Sequence, residues 1–285
     1  MRERGPLRGV GKTALGVAMV RAWESRRADR LFDDPYAQAF VDAAPGSYPG
    51  ELVDEAVRAA RWGGEDLRGR FYFHTVIRTR FYDDFLTAAA QRGCRQLVLL
   101  AAGLDTRAFR LPWPDGTRLF ELDLPAVLAF KEAVLTARGA VPGCERITAA
   151  ADLRADWSAE LVGAGFDRRV LTAWLAEGLL IYLTFDEASR MLSGVGELSV
   201  SHSRLALEHG PAAGDSMIAN ARRHGRMRDY TSLWKGGLGN GAQDWLTRHG
   251  WQCRFHDTPT VAACYDRPVH GPASGGFLTA LRKPS

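Results

Sequence analysis

The chain has 285 residues, 46% hydrophobic and 25% charged, which are ordinary values for a soluble globular protein with room for one large domain. Its 37 Lys and Arg against 33 Asp and Glu leave a formal charge of +4, too small and too evenly spread a surplus to argue for nucleic acid. No apolar run approaches the ~20 residues that span a bilayer, and no signal-type apolar core follows the basic N-terminal residues.

The four cysteines, Cys94, Cys144, Cys253 and Cys264, form no Cys-x-x-Cys pair, so neither a zinc site nor a disulfide framework is expected. They read as scattered thiols in a reducing, cytoplasmic compartment.

The first motif in chain order is GVGKTALG at 9–16. A phosphate-binding loop needs Gly, four residues, then Gly-Lys-Ser/Thr, between a strand and a helix. Counting back from Gly11, the required glycine falls on Pro6, and MRERGPLR is no strand. A nucleotide hydrolase using Lys12 is therefore the lesser reading. Leu15, Ala18, Met19, Ala22 and Trp23 recur at helical spacing, so the stretch is expected to lead into an amphipathic helix with Thr13 as N-cap. That helix is expected to close over a site built later in the chain.

Further helices are predicted over 51–61 and 76–90, the second closed by Gly93. Short β-rich runs then alternate with helical patterns. Strands are predicted at QLVLLAAG (96–103), RLFELD (118–123), RITAAADL (146–153), RRVLTAWLAEG (168–178) and SRLALEHG (203–210). A helix with Pro125 in its first turn and one opened by a Thr184–Glu187 capping box fall between them. The segment 211–241 reads as a lid, followed by a helix near 244–249 and two last strands, 251–257 and 275–282. Alternating strands and helices imply an α/β fold, a parallel sheet covered on both faces.

Open parallel sheets bind ligands beyond the carboxyl ends of their strands. Acids stand there: Asp123 after the second strand, Asp152 after the third, Glu177 after the fourth. Asp123 lies 20 positions beyond Gly103, the spacing at which nucleoside-binding folds place a ribose-binding carboxylate. Alone, Asp123 could simply open the helix that follows it. Glu177, within LTAWLAEGLLIYL, needs a partner to stay charged. The turn after Gly103 lacks Gly-x-Gly-x-x-Gly and carries Asp105 where a pyrophosphate would rest, which disfavours nicotinamide and flavin dinucleotides. A cationic nucleoside without phosphate suits these acids better, and S-adenosyl-L-methionine is such a ligand.

LVLLAAGLDTRAFRL followed by LFELDLPAVLAFKEAVL resembles the leucine carboxyl methyltransferase-like family of S-adenosylmethionine-dependent methyltransferases. It looks closest to a bacterial branch that includes polyketide carboxyl O-methyltransferases. The resemblance spans nearly the whole chain, through VIRTRFYDDFL, AADL, WLAEGLLIYL and LTRHGWQCRFHD. It implies a Rossmann-like, seven-stranded class I methyltransferase sheet, mostly parallel with an antiparallel last strand. A single domain over 1–285 is expected, with an N-terminal helical cap over 1–92 and the core over 93–285. The resemblance also implies S-adenosyl-L-methionine as cofactor, S-adenosyl-L-homocysteine as product, and no metal.

By position, it implies that Ala102 and Gly103 line the methionine end and that Asp123 binds ribose, with Glu121 a weaker candidate. Asp152 and Leu153 would hold the adenine edge, and Glu177 would face the amino group with Tyr182 nearby. An arginine of the VIRTR helix would clamp the cofactor carboxylate. Arg78 is favoured, with Arg80 the alternative; the two point about 200° apart on a helix, so only one of them is expected to face in, with Arg21 assisting from the first helix. One departure is that the first turn, Ala101-Ala102-Gly103, carries a single glycine.

The implied reaction is O-methylation, first of a carboxylate on a small natural product such as a polyketide, or on a peptide C-terminus. A phenolic hydroxyl is the alternative acceptor, and a catalytically inactive cofactor-binding module remains a further reading. A carboxylate is already ionised near neutral pH, whereas a phenol, of pKa about 10, profits from a base. No catalytic residue is assigned; His74, His209 and Tyr182 are the weak candidates. Phe71, Tyr72 and Phe73 could floor an acceptor pocket, though core packing is the simpler use. The expected partners are a small-molecule or peptide acceptor, with no nucleic acid or membrane, and a homodimer stays open.

Overall fold

Seven short strands build one sheet: β1 (Gln96–Leu100), β2 (Arg118–Asp123), β3 (Glu145–Ala150), β4 (Thr172–Ala176), β5 (Arg204–His209), β6 (Trp251–Asp257) and β7 (Gly276–Arg282). Their order is β3-β2-β1-β4-β5-β7-β6, and only β7 runs antiparallel to its neighbours. This is the α/β, class I methyltransferase arrangement that the sequence implied. The computed structural model describes residues 10–45, 67–209, 233–267 and 275–284. Among these, no helix is long and apolar enough to cross a membrane.

Successive strand residues face opposite ways, which sorts the core into two layers. Val98, Phe120, Trp174 and Leu205 pack on one face beneath helices α6 (Trp157–Gly163), α7 (Phe185–Glu197) and α8 (Ala242–Arg248). Leu97, Leu99, Leu119, Leu175 and Phe277 pack on the other, beneath α3 (Leu67–Gln91) and α9 (Thr258–Ala263). A third cluster joins α1 (Val10–Glu24), α2 (Ala37–Asp42) and α5 (Pro125–Ala137) through Leu15, Ala18, Phe40, Val127 and Leu104. The remaining α-helix is the single turn α4 (Arg107–Arg110), shortly after β1, and short 3-10 turns stand at Leu180–Tyr182 and Gly239–Gly241.

Several sequence expectations hold locally because their signals are local. Pro125 sits in the first turn of α5. Thr184 Oγ1 accepts from Glu187 N at 3.2 Å and Thr184 N donates to the Glu187 carboxylate at 2.8 Å, the reciprocal capping box. Leu15, Ala18, Met19 and Ala22 are buried along α1, as their spacing predicted.

Others are corrected. Thr13 lies inside α1, which is already helical at Val10, so it is no N-cap. Gly11, Lys12 and Thr13 form the first turn of α1, and Pro6 stands where a phosphate loop needs glycine. Helix α3 begins at Leu67 rather than 76, because RFYFHT continues the apolar face into the buried Tyr72. The expected helix over 51–61 and most of the expected lid lie outside the described residues. Of the lid, Lys235 and Gly236 donate their N–H groups to Ile181 O, at 2.7 and 3.1 Å.

Candidate functional site

Sheet register determines which strand ends meet. Leu100 pairs with Leu122 and Leu99 with Leu175, so the chain leaves β1 between β2 and β4, where the strand order reverses. Ala176 pairs with Leu207, so the next residues, Glu177 and Glu208, stand side by side at the carboxyl edge of β4 and β5.

The first turn, Ala101-Ala102-Gly103, is pinned by Asp123. Gly103 N donates to Asp123 Oδ2 at 2.6 Å and Leu124 N to Oδ1 at 2.7 Å, while Ala102 N bonds Leu122 O at 2.9 Å. Asp123 is therefore no N-cap; Leu124 holds that position, and Asp123 ties two strand ends together. Burial pushes its carboxyl above the ordinary range, only partly offset by the Gly103 and Leu124 N–H groups. Gly103 takes φ +53°, and a Cβ there would lie 3.4 Å from that of Ala14, so α1 rests directly on this turn. Ala101 takes φ +54°, a left-handed conformation that costs an alanine about 1–2 kcal/mol.

Arg78 reaches from α3 into the space beyond β4 and β5. Its Nε donates to Glu177 Oε1 and its Nη1 to Glu208 Oε1, each at 2.9 Å. Burial would lower Arg78, but the charges of Glu208 and Glu177 outweigh it and hold the guanidinium firmly protonated. Gly178 takes φ +61°, and a Cβ there would come within 3.4 Å of Arg78 Nη1. Its N–H donates to Glu208 Oε2 at 2.6 Å.

Arg80 points elsewhere, to Asp84 and Leu31 O, with its guanidinium 5.6 Å from the Tyr265 ring centroid. Arg21 bonds Asp34 at 2.8 Å and Leu104 O at 2.5 Å, so it braces the first turn rather than joining Glu177.

Behind Glu177 lies a cluster the sequence reading missed. Fully buried Arg107 donates from Nε to Asp83 at 2.7 Å and from Nη1 to Glu177 Oε2 at 2.8 Å, and pairs with Asp105. Arg110 adds two bonds to Asp83, at 2.6 and 2.7 Å. Burial would raise Asp105, yet Arg107 keeps it below the usual carboxylate range. The acid that looked wrong for pyrophosphate therefore serves an internal ion pair. DTRAFR carried the signal, two arginines beside an aspartate in an apolar context, but its partner Asp83 is on another helix. Glu208 was legible in the same way as Glu177, as a carboxylate inside the apolar strand RLALEH.

Arg78, Arg107 and Arg110 stand against Asp83, Asp105, Glu177 and Glu208, three cations to four anions. The cluster carries one excess negative charge while His74 is neutral, which suits a cationic ligand group.

A family model for leucine carboxyl methyltransferase matches residues 14–196, which takes in most of α1, Arg78, the first turn, Asp123 and Glu177. This chain belongs to that methyltransferase family. A relative from Parafrankia sp. (strain EAN1pec) is 49% identical over 98% of this chain and 89% of its own length. One from Frankia alni is 50% identical over 96% of this chain and 95% of its own. Both are named "putative S-adenosyl-L-methionine-dependent methyltransferase". A solved structure, a possible exported protein from Bordetella parapertussis, superposes with TM-score 0.50 over 94% of this chain and 97% of that one. At 14% identity that likeness speaks to the fold alone.

The other residues expected from the family resemblance distribute unevenly. Ala102 and Gly103 line the turn, and Tyr182 stands half-buried on the single 3-10 turn after Gly178. Leu153 is buried, but Asp152 is half-exposed and bonds Arg154 of its own loop at 2.6 Å, which lowers its carboxyl below the ordinary range. Glu121 leaves the candidate set: it is fully buried, bonding Lys131 at 2.7 Å and Arg146 at 2.9 Å. Tyr72 leaves the supposed acceptor floor, since its hydroxyl donates to Glu24 at 2.9 Å beneath α1.

Proposed function

We propose that this methyltransferase moves the methyl group of S-adenosylmethionine to an oxygen of a small molecule. The observation that carries the reading is the juxtaposition of Asp123 at the first turn with the Arg78–Glu177–Glu208 cluster at the ends of β4 and β5. Asp123 offers a carboxylate to a ribose diol. Arg78 offers a guanidinium to a carboxylate, and the surplus negative charge receives an ammonium or sulfonium. Ala102 and Gly103 give the close backbone approach, with Asp152 and Leu153 toward the base. The cofactor supplies an activated methyl group; the chain's residues orient it and exclude water.

The acceptor oxygen belongs to a carboxylate, as in the reaction that names the family, or to a hydroxyl. One observation favours the hydroxyl: among the described residues, His74 is the one of the three candidate bases held by a carboxylate. Calorimetry with S-adenosylhomocysteine tests the cofactor assignment. We expect binding by the wild-type chain and a loss of at least tenfold in Asp123→Ala; no binding by the wild type would reject it.

A further inference from the structure

His74 lies one helical turn before Arg78 on α3. Its Nε2 is 2.8 Å from Glu208 Oε1, the same oxygen that accepts from Arg78 Nη1. Burial would raise the Glu208 carboxyl, but the charge of Arg78 and the His74 hydrogen bond hold it well below the usual range. Glu208 is thus ionised and only accepts, so the proton of a neutral His74 ring sits on Nε2. Nδ1 is left with its lone pair and no hydrogen bond among the described residues. The ring stacks on Phe277 at 5.9 Å and 23°, yet the side chain stays 38% exposed. Among the described residues, the groups about it are Glu208 from β5, Arg78 from its own helix, which shares Glu208 Oε1, and apolar Phe277 from β7, with Glu177 beyond Arg78.

The other candidates lack this arrangement. His209 Nδ1 is buried without a partner among the described residues, and its ring meets Phe255 edge-on. Burial lowers its affinity for a proton. Among the described residues, no carboxylate bonds the Tyr182 hydroxyl.

We propose that His74 is the general base of the transfer, that Glu208 is the positioning residue fixing its tautomer, and that the acceptor is a phenol-type hydroxyl. This rests on the methyltransferase reading above. Nδ1 takes the hydroxyl proton as the acceptor oxygen bonds the methyl carbon. The carbon–sulfur bond breaks with its electron pair left on sulfur, giving a methyl ether and a neutral thioether. The imidazolium, stabilised by Glu208, returns its proton to water. A carboxylate acceptor would need no such step.

The chain is incubated with tritiated-methyl S-adenosylmethionine and a metabolite extract of Streptomyces coelicolor, source of a relative 44% identical over 96% of this chain. The labelled product is treated with mild alkali and identified by mass spectrometry. An alkali-stable methyl ether is expected; a methyl ester, which releases labelled methanol, overturns the proposal. His74→Gln should bind S-adenosylhomocysteine within about twofold of wild type while losing about 100-fold in ether formation near neutral pH. Activity should recover as pH rises toward the ionisation of the phenol, and an undiminished rate near neutrality overturns the base. Glu208→Gln should lose less and change the pH profile. Independently of any acceptor, nitrogen-15 spectra of His74 in the S-adenosylhomocysteine complex should show the Nε2-protonated tautomer; a neutral ring protonated on Nδ1 overturns the dyad. Failure to bind S-adenosylhomocysteine at all rejects the methyltransferase reading instead.

Discussion

Arg78 and Glu177, 99 positions apart in the chain, meet at 2.9 Å, Nε to Oε1, with 9% and 16% of their side chains exposed. Glu177 holds a second guanidinium on its other oxygen, so the carboxylate is fixed from two sides. Arg78→Lys keeps the charge but cannot fork between Glu177 and Glu208. We expect it to weaken S-adenosylhomocysteine binding by about tenfold, and Arg78→Ala by more, since removing one partner strands buried carboxylates. Calorimetry of the two variants checks the order.

Asp123 links cofactor affinity to pH. Its carboxyl titrates above the ordinary range in the free protein, whereas ribose hydroxyls bond the ionised form more strongly than the protonated one. Binding therefore lowers that pKa, takes place with proton release, and weakens as pH falls through the raised value. Affinity measured from neutral to mildly acid pH should fall in the wild type. Asp123→Asn should bind weakly and with little slope; an equally steep slope there would assign the pH dependence to another group.

Arg107 is a stability residue. It is 2% exposed and serves Asp83, Asp105 and Glu177 together. Arg107→Met leaves three carboxylates without their common cation, a loss of about 3–5 kcal/mol. Thermal unfolding should move down by roughly 6–10 °C. A change of a degree or less would show that the carboxylates rehydrate or protonate at little cost.

Acid should destabilise the protein through the same cluster. Asp105 and Glu208 are held below their ordinary range, so they contribute stability above the unfolded carboxyl values, about pH 4, and lose it as pH falls through their depressed folded values. Denaturant titrations at falling pH should show stability declining from about pH 5 downward. Glu208→Gln should show a shallower decline.

Ala101 stands at φ +54° where glycine would be unstrained. Ala101→Gly gains about 1–2 kcal/mol of relief and forfeits about 0.5–1 kcal/mol in chain entropy. Unfolding should be unchanged or slightly raised. Ala101→Val should lower it clearly, because a β-branched side chain tolerates that conformation least.

Whatever depended on near neighbours in the chain was legible in the sequence. Strand β2, the capping box of α7, the start of α5 and the buried face of α1 all follow from spacing within one turn or one strand. So did the strand-end acids and the 20-residue interval from Gly103 to Asp123, because parallel topology puts consecutive strand ends at one edge. Partner choice was not legible. The family resemblance favoured Arg78 over Arg80, but that Arg78 meets Glu177 and Glu208 while Arg80 turns to Tyr265, that Glu121 belongs to Lys131, and that Glu208 joins His74 to Arg78 are set by sheet register and helix docking between segments far apart in the chain. The sequence alone determined the strand and helix alternation and which residue types stand at the sheet's carboxyl edge. Only the tertiary structure decided how those charges pair, because a buried ion pair depends on the distance and direction between groups, and chain spacing fixes neither beyond a single element.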